Sequence, residues 1–123
     1  MKVIALSFTF KNLSDEEFEQ LALEVQNQAV GGNPILLING YMPRKVVEEK
    51  GYDTKLVDLL DKHFPLQLSM YDRSIQKTRR PEMAELAQQL KAKVVVIGEV
   101  KGGVEKDVRC YENRGCNIEY IEL

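Results

Sequence analysis

The sequence predicts one α/β domain in which a five-stranded parallel sheet lies between two layers of helices. Three observations predict this three-layer α/β/α fold: apolar strand-like runs alternate with amphipathic helical runs, the connections between them are short, and 123 residues is a common length for one domain. Short right-handed crossovers fit a flavodoxin-like or Rossmann-like sheet with the order 2-1-3-4-5. We therefore expect a ligand at the carboxyl ends of the strands, at the switch between strands one and three.

The first half of the chain supplies three predicted strands. Ser14 and Glu17 have the spacing of a capping box, which predicts that the first long helix begins there and runs to Gly31-Gly32. A polar helical stretch follows Pro43, and a firmer helix is predicted from about Thr54 to His63. The three strands are predicted at Val3–Phe10, Ile35–Ile38 and Leu66–Tyr71.

The second half begins with a basic loop, Asp72–Arg80, and a helix that starts at Pro81, since proline suits the first turn of a helix. That helix has an apolar stripe predicted to be buried. Lys93–Val100 gives the strongest signal of a buried strand. The stripe consists of Met83, Leu86, Ala87 and Leu90, and the remaining predicted elements are a helix from about Val104 to Asn113 and a last strand at Asn117–Glu122.

Composition excludes several classes of protein. A net charge of −2 gives no overall attraction to nucleic acid or to an anionic membrane, and no apolar run is long enough to span a bilayer. We expect a soluble cytoplasmic protein whose two cysteines, Cys110 and Cys116, are reduced. We expect no zinc site, because the sequence has one histidine, His63, and no close pair of cysteines. We expect no cofactor, because it has neither a phosphate-binding loop nor a dinucleotide-binding fingerprint.

The sequence predicts a functional site where Val94–Val100 runs into Lys101–Asp107. Gly102 and Gly103 allow a ligand to approach the backbone, and the N-terminus of the following helix favours an anion. Glu105 and Asp107 lie in its first turns, and Asp107 borders the inward face. A structural alternative stays open, in which the glycines form a tight turn and the carboxylates interact favourably with the helix dipole.

Four basic residues cluster after the third strand and suggest a phosphate contact, because a guanidinium can bind two phosphate oxygens. The alternative is a solvated surface loop. Tyr71 is the one aromatic side chain beside them, so binding of single-stranded nucleic acid is weakly supported. The four residues are Arg73, Lys77, Arg79 and Arg80.

The last 40 residues contain three runs that follow a family pattern: a hydrophobic strand, a glycine turn before a helix with an acid, and the approach to a final strand. The runs are Val94–Val100, Gly102–Asp107 and Gly115–Ile121. With them this part of the chain resembles the nucleoside 2-deoxyribosyltransferase-like superfamily. In the transferases the helix acid is a glutamate that attacks the anomeric carbon of the nucleoside. The resemblance places Asp107 at that position and implies a nucleoside or nucleotide ligand and a homo-oligomer.

Three functions are compatible with these sequence features, and all three stay open. The first is an enzyme acting at an N-glycosidic bond, and the second is a nucleotide-binding module without catalysis. The third is a small phage or bacterial accessory protein that acts through protein–protein contacts. The chain differs from the family pattern in having aspartate for glutamate, no Gly-Pro pair after the first strand, and Asn117 for the usual proline. These differences favour binding over catalysis.

Each predicted site residue has a role under the first two hypotheses. Asp107 is the nucleophile or the electrostatic stabiliser, and Glu105 or Glu99 assists it. Tyr71 stacks on the base. The other predicted ligand-binding residues are Thr9, Arg73, Arg79, Arg80, Gly102 and Gly103.

Overall fold

A computed structural model describes residues 2–8, 14–31, 34–71 and 76–122. Strands and helices alternate along the chain, except that two helices lie between the second and third strands. The strands are β1 (Lys2–Phe8), β2 (Ile35–Asn39), β3 (Leu66–Ser69), β4 (Lys93–Ile97) and β5 (Asn117–Ile121). The helices are α1 (Asp15–Ala29), α2 (Arg44–Glu49), α3 (Lys55–His63), α4 (Gln76–Gln89) and α5 (Gly102–Asn113).

The five strands form one parallel sheet, which confirms the predicted α/β class. Their order is β3-β2-β1-β4-β5, so the predicted order 2-1-3-4-5 is wrong in where it places the third strand. β3 lies outside β2 at the edge of the sheet, and β1 has β2 and β4 as its neighbours. Among doubly wound sheets this is the Rossmann order and not the flavodoxin order.

The helices explain the order, because each right-handed crossover fixes the face of the sheet on which its helix packs. α1 and α3 bury side chains in the same apolar cluster, so the chain moves in one direction from β1 to β2 to β3. α4 and α5 pack on the opposite face, and the chain therefore returns past β1 to reach β4 and β5. The first cluster is Ile4, Leu6, Leu21, Val25, Leu37, Leu56, Leu60, Phe64, Val95 and Ile97, and the second is Ala5, Ile38, Met83, Ala84, Ala87, Ala92, Val94, Val96, Val104, Val108 and Tyr111.

α4 begins earlier than the sequence predicts. The chain is already helical at Gln76, so the end of the predicted basic loop belongs to the helix and Pro81 lies inside it. Proline removes the bond that its N–H would donate one turn back. Polar bonds made by Arg79 and Arg80 hold the turn before it to neighbouring elements. At the other end Leu90 is 40% exposed, so its predicted burial is wrong.

The start of a helix is predicted correctly where one short motif determines the local conformation. The capping box of α1 is confirmed: the amide of Glu17 donates to Ser14 Oγ, and the amide of Ser14 donates to Glu17 Oε1, both at 3.2 Å. β4 ends at Ile97, three residues before its predicted end, and the φ of the next residue, Gly98, is +93°. Within the described ranges no helix is both long and apolar enough to cross a bilayer.

Substitution of Tyr111 tests what its ring and its hydroxyl contribute to the stability of the second apolar cluster. Its ring is fully buried, and its hydroxyl has no hydrogen-bond partner within the described part of the chain. We expect Tyr111→Phe to leave the free energy of unfolding unchanged or to raise it, because the variant loses a buried unsatisfied group. Tyr111→Ala should cost about 3–5 kcal/mol through the cavity it leaves.

Urea denaturation of the two variants and the wild type measures both effects. A loss of more than about 1 kcal/mol in Tyr111→Phe would show that the hydroxyl makes a stabilising hydrogen bond in solution.

Candidate functional site

The strand order places a crevice at the carboxyl ends of β1 and β4. The helix after β1 packs on one face of the sheet and the helix after β4 packs on the other, which opens the edge between these strands. Ser7 of β1 is paired in register with Val96 of β4 at this edge. The switch thus lies between strands one and four, not between strands one and three as predicted. The turn after β4 still borders it.

That turn leads into α5 through two glycines. α5 begins at Gly102, two residues before the predicted start, and the φ of Gly102 is +57°, which only glycine adopts readily. Lys101, the N-cap residue, makes no capping bond with its side chain. The first amide groups of the helix therefore have no acceptor in the N-cap side chain, and such groups at a helix N-terminus favour an anion.

Arg80 lies against this first turn of α5. A Cβ atom added to Gly103 would stand 3.2 Å from Nη2 of Arg80. The guanidinium is held in place by Asp107, one turn further along α5, because Arg80 Nε donates to Asp107 Oδ1 at 2.8 Å. Glycine at position 103 thus makes room for the cation beside the helix N-terminus.

Asp107 is the centre of a cluster that joins α4, α5 and β1. Besides Arg80, it receives a 3.5 Å hydrogen bond from Ser7 Oγ, and Arg79 Nη2 lies 3.9 Å from its Oδ1. The side chains of Asp107, Arg79 and Arg80 are 13%, 14% and 29% exposed. Two guanidinium groups and one carboxylate leave a net positive charge at the carboxyl edge.

Burial raises the pKa of Asp107 above its ordinary value. The two guanidinium groups and the hydrogen bonds from Arg80 and Ser7 act in the opposite direction, and they offset only part of the burial. Burial also raises the pKa of Tyr111, and the charge of Asp107 adds to that rise. Burial thus works against the charged form of Asp107, while the two guanidinium groups favour it.

Arg79 connects the cluster to the end of β2. Its Nη1 donates to the carbonyl oxygen of Gly40, the residue after β2. A Cβ atom at Gly40 would lie 3.0 Å from Sδ of Met83 and 3.1 Å from Nη1 of Arg79. The missing side chain at this position therefore lets α4 come close to the strand end.

The structure does not bring Glu99 or Glu105 to Asp107. Glu105 pairs with Arg109 at 2.6 Å, in an exposed i,i+4 ion pair on α5. The exposed Glu99 pairs with Lys101 at 3.2 Å. Each glutamate thus pairs with a cation close by in sequence.

The other predicted residues fall into three groups. Arg79, Arg80, Gly102 and Gly103 lie at the carboxyl edge near Asp107. Tyr71 is half-buried and follows β3, the strand at the edge of the sheet. Thr9 and Arg73 lie outside the described residues, and so does the side chain of Lys77.

Two residues of the cluster were missed from the sequence. Ser7 is a polar residue in an apolar strand, and this break in the pattern was the signal that could have identified it. Gly40 gave a weaker signal, because a glycine after a strand ordinarily ends it without a further role.

A separate cavity of about 270 Å³ lies beside β2 and β3, against α2 and α3. Its lining combines apolar side chains with polar ones, several of which are joined by hydrogen bonds. The polar lining residues are Asn39, Arg44, Asp61, Gln67 and Ser69, and the apolar ones are Met42, Pro43, Val57, Leu60 and Pro65. Asn39 immediately precedes Gly40, so this cavity adjoins the strand end that Arg79 contacts.

Asp107 gives the site a testable pH dependence. Because its pKa is raised, the folded chain binds this proton more tightly than the unfolded chain does, so its contribution to stability grows as the pH falls through the raised pKa. We expect the free energy of unfolding of the wild type, minus that of Asp107→Asn, to increase between about pH 7 and about pH 4. Urea titrations across this range measure it.

Asp58→Asn is the matched control, with the opposite sign. Hydrogen bonding to Arg44 lowers the pKa of Asp58, so its contribution is present above its ordinary pKa and is lost as the pH falls further. The wild type should therefore lose stability relative to Asp58→Asn below about pH 4. A wild type that also loses stability relative to Asp107→Asn on acidification would show that the guanidinium groups outweigh burial at Asp107.

Within the described residues, no group of three or more His, Cys, Asp or Glu side chains could hold a metal ion. No protein-family model matches the chain, and no curated protein or solved structure matches it.

Proposed function

We propose that this protein binds a phosphorylated small molecule of the nucleotide class at the carboxyl edge between β1 and β4. The observation that carries the proposal is the position of Arg80, held by Asp107 against the uncapped first turn of α5. A phosphate at this place receives backbone N–H groups and a guanidinium together, which is the usual chemistry of phosphate recognition.

The geometry of Arg80 suits an additional anion. Its Nε is used by Asp107, and no described side chain accepts a hydrogen bond from its Nη groups. Two Nη groups that share one plane can donate to two oxygens of a phosphate. The hydrogen bond to Asp107 fixes the plane of the guanidinium before the ligand arrives, which lowers the entropy lost on binding.

The same contacts support binding more than cleavage of an N-glycosidic bond. A nucleophilic carboxylate must reach the anomeric carbon, and Asp107 is instead largely buried and bonded to Arg80 and Ser7. Its contacts are those of a residue that positions Arg80. The nucleotide class rests on the resemblance of the C-terminal third, and the predicted homo-oligomer and cytoplasmic location stay predictions.

Titration calorimetry with inorganic phosphate and with the four deoxynucleoside 5′-monophosphates tests the proposal. We expect the wild type to bind, and Arg80→Gln to bind about 10- to 100-fold more weakly, because hydrogen bonds to a charged group contribute about 1.5–3 kcal/mol. Gly103→Ala should also weaken binding, since its Cβ displaces Nη2 of Arg80.

Arg109→Gln is the matched control. It removes the same charge from an exposed position on α5 that pairs with Glu105, away from the cluster, and it should bind like the wild type. If Arg80→Gln and Arg109→Gln weakened ligand binding equally, the loss of affinity would be an effect of overall charge. That result would contradict the proposed site. Release of free base from a bound nucleotide, lost in Asp107→Asn, would establish the N-glycosidic enzyme in place of the binding protein.

A further inference from the structure

The cavity between β2, β3, α2 and α3 differs chemically from the phosphate site. Its polar wall is a connected chain: Asn39 Nδ2 donates to Gln67 Oε1 at 3.0 Å, and Gln67 Nε2 donates to Asp61 Oδ1 at 3.0 Å. Gln67 Nε2 also donates to the carbonyl of Phe64 at 2.8 Å, which uses its remaining hydrogen. The wall is therefore fixed in orientation before any ligand enters.

Several hydrogen-bonding groups of the wall remain for a ligand. Asn39 uses one amide hydrogen for Gln67, and its Oδ1 accepts from the amide of Tyr41 at 2.9 Å, so a second hydrogen remains. No described residue bonds the hydroxyl of Ser69. Arg44 uses one Nη group for its two carboxylate partners and has other N–H groups to donate. Donors and an acceptor thus face the cavity at fixed positions.

The charge around the cavity disfavours an anion. Arg44 is paired with Asp61 at 2.9 Å and with Asp58 at 2.8 Å, so the cation is outnumbered by its carboxylates. The apolar part of the lining includes Val57 and Leu60 of α3. A ligand with apolar faces and a hydrogen-bonding edge, and without charge, matches both parts of this lining.

The size and place of the cavity narrow the ligand further. A volume of about 270 Å³ lies just below the range of about 300–1,000 Å³ for ligand pockets, so it takes one ring system and not a large cofactor. Gly40, next to Asn39, accepts from Arg79 of the phosphate site. β1 alone separates β2 from β4, so the strand ends at the two sites are about 10 Å apart, or two strand spacings.

We propose that this cavity binds an uncharged heterocyclic base, the base of the nucleotide whose phosphate lies at Arg80 and Gly103. The inference rests on the proposed function and names the rest of its ligand. The nucleotide crosses the carboxyl edge of β1 and β2, with its anionic end at the positive cluster and its neutral end in the cavity whose carboxylates repel phosphate.

Calorimetry with three probes separates the two ends: inorganic phosphate, the four deoxynucleosides, and their 5′-monophosphates. In the wild type we expect at least one monophosphate to bind at least tenfold more tightly than phosphate. Ser69→Phe, which fills the cavity from an exposed strand position, should weaken that monophosphate and its nucleoside at least tenfold and leave phosphate binding within twofold. Arg80→Gln should weaken phosphate and monophosphate and leave the nucleoside unchanged.

Leu68→Phe is the matched control, because successive side chains of a strand point to opposite faces and Leu68 does not line the cavity. It should bind all three probes like the wild type. Equal affinities for phosphate and every monophosphate, or nucleoside binding that Ser69→Phe does not change, would overturn the inference and leave the phosphate site standing. Failure of the wild type to bind any of the probes would overturn the proposed function itself.

Nuclear magnetic resonance gives a readout that does not depend on the folding of Ser69→Phe. Addition of the best-binding nucleoside to the wild type should shift the side-chain amide signals of Asn39 and Gln67. Addition of phosphate should shift the backbone amide signals of Gly102 and Gly103 instead. A nucleoside that binds and shifts neither side-chain amide would place the base elsewhere and overturn the inference.

Discussion

The carboxylate of Asp107 holds together three elements that the parallel sheet alone would leave separate. It accepts from Arg80 of α4 and from Ser7 of β1, while it belongs to α5 itself. Through Arg79, which lies beside it and donates to Gly40, the same cluster reaches the end of β2. Apolar packing fixes which face α4 and α5 cover, but these polar bonds fix how their ends meet at the carboxyl edge, where the candidate site lies.

That arrangement also determines which chemistry the edge supports. Without an anion beside them, the guanidinium groups of Arg79 and Arg80 would repel each other. Asp107 is the anion that stabilises both at the carboxyl edge. These contacts support a positioning role for the carboxylate. A nucleophilic role would require the opposite, a carboxylate released from its cations and open to the substrate.

The fold class could be predicted from the sequence, whereas the strand order could not. Alternation of strands and helices identifies a doubly wound sheet, and the capping box at Ser14 identifies one helix start. The order depends on which face each helix covers. The apolar stripe of α3, with Leu56 and Leu60, looks the same whether it packs beside α1 or on the other face. Only the shared cluster in the folded chain decides this, and with it the position of β3.

The candidate site shows a similar division. Glycines before a helix N-terminus are a local signal, so Gly102, Gly103 and the position of Asp107 could be identified. The partners of Asp107 could not, because an arginine run usually faces solvent and its burial depends on contacts with distant parts of the chain. Arg80 lies 27 residues from Asp107, and Ser7 lies 100 residues from it. Glu99 and Glu105 differ from Asp107 in this respect, because each is exposed and pairs with a cation within four residues of it in the sequence. Burial thus distinguishes Asp107 from the two glutamates, since only an acid removed from solvent requires partners that the fold must bring from elsewhere.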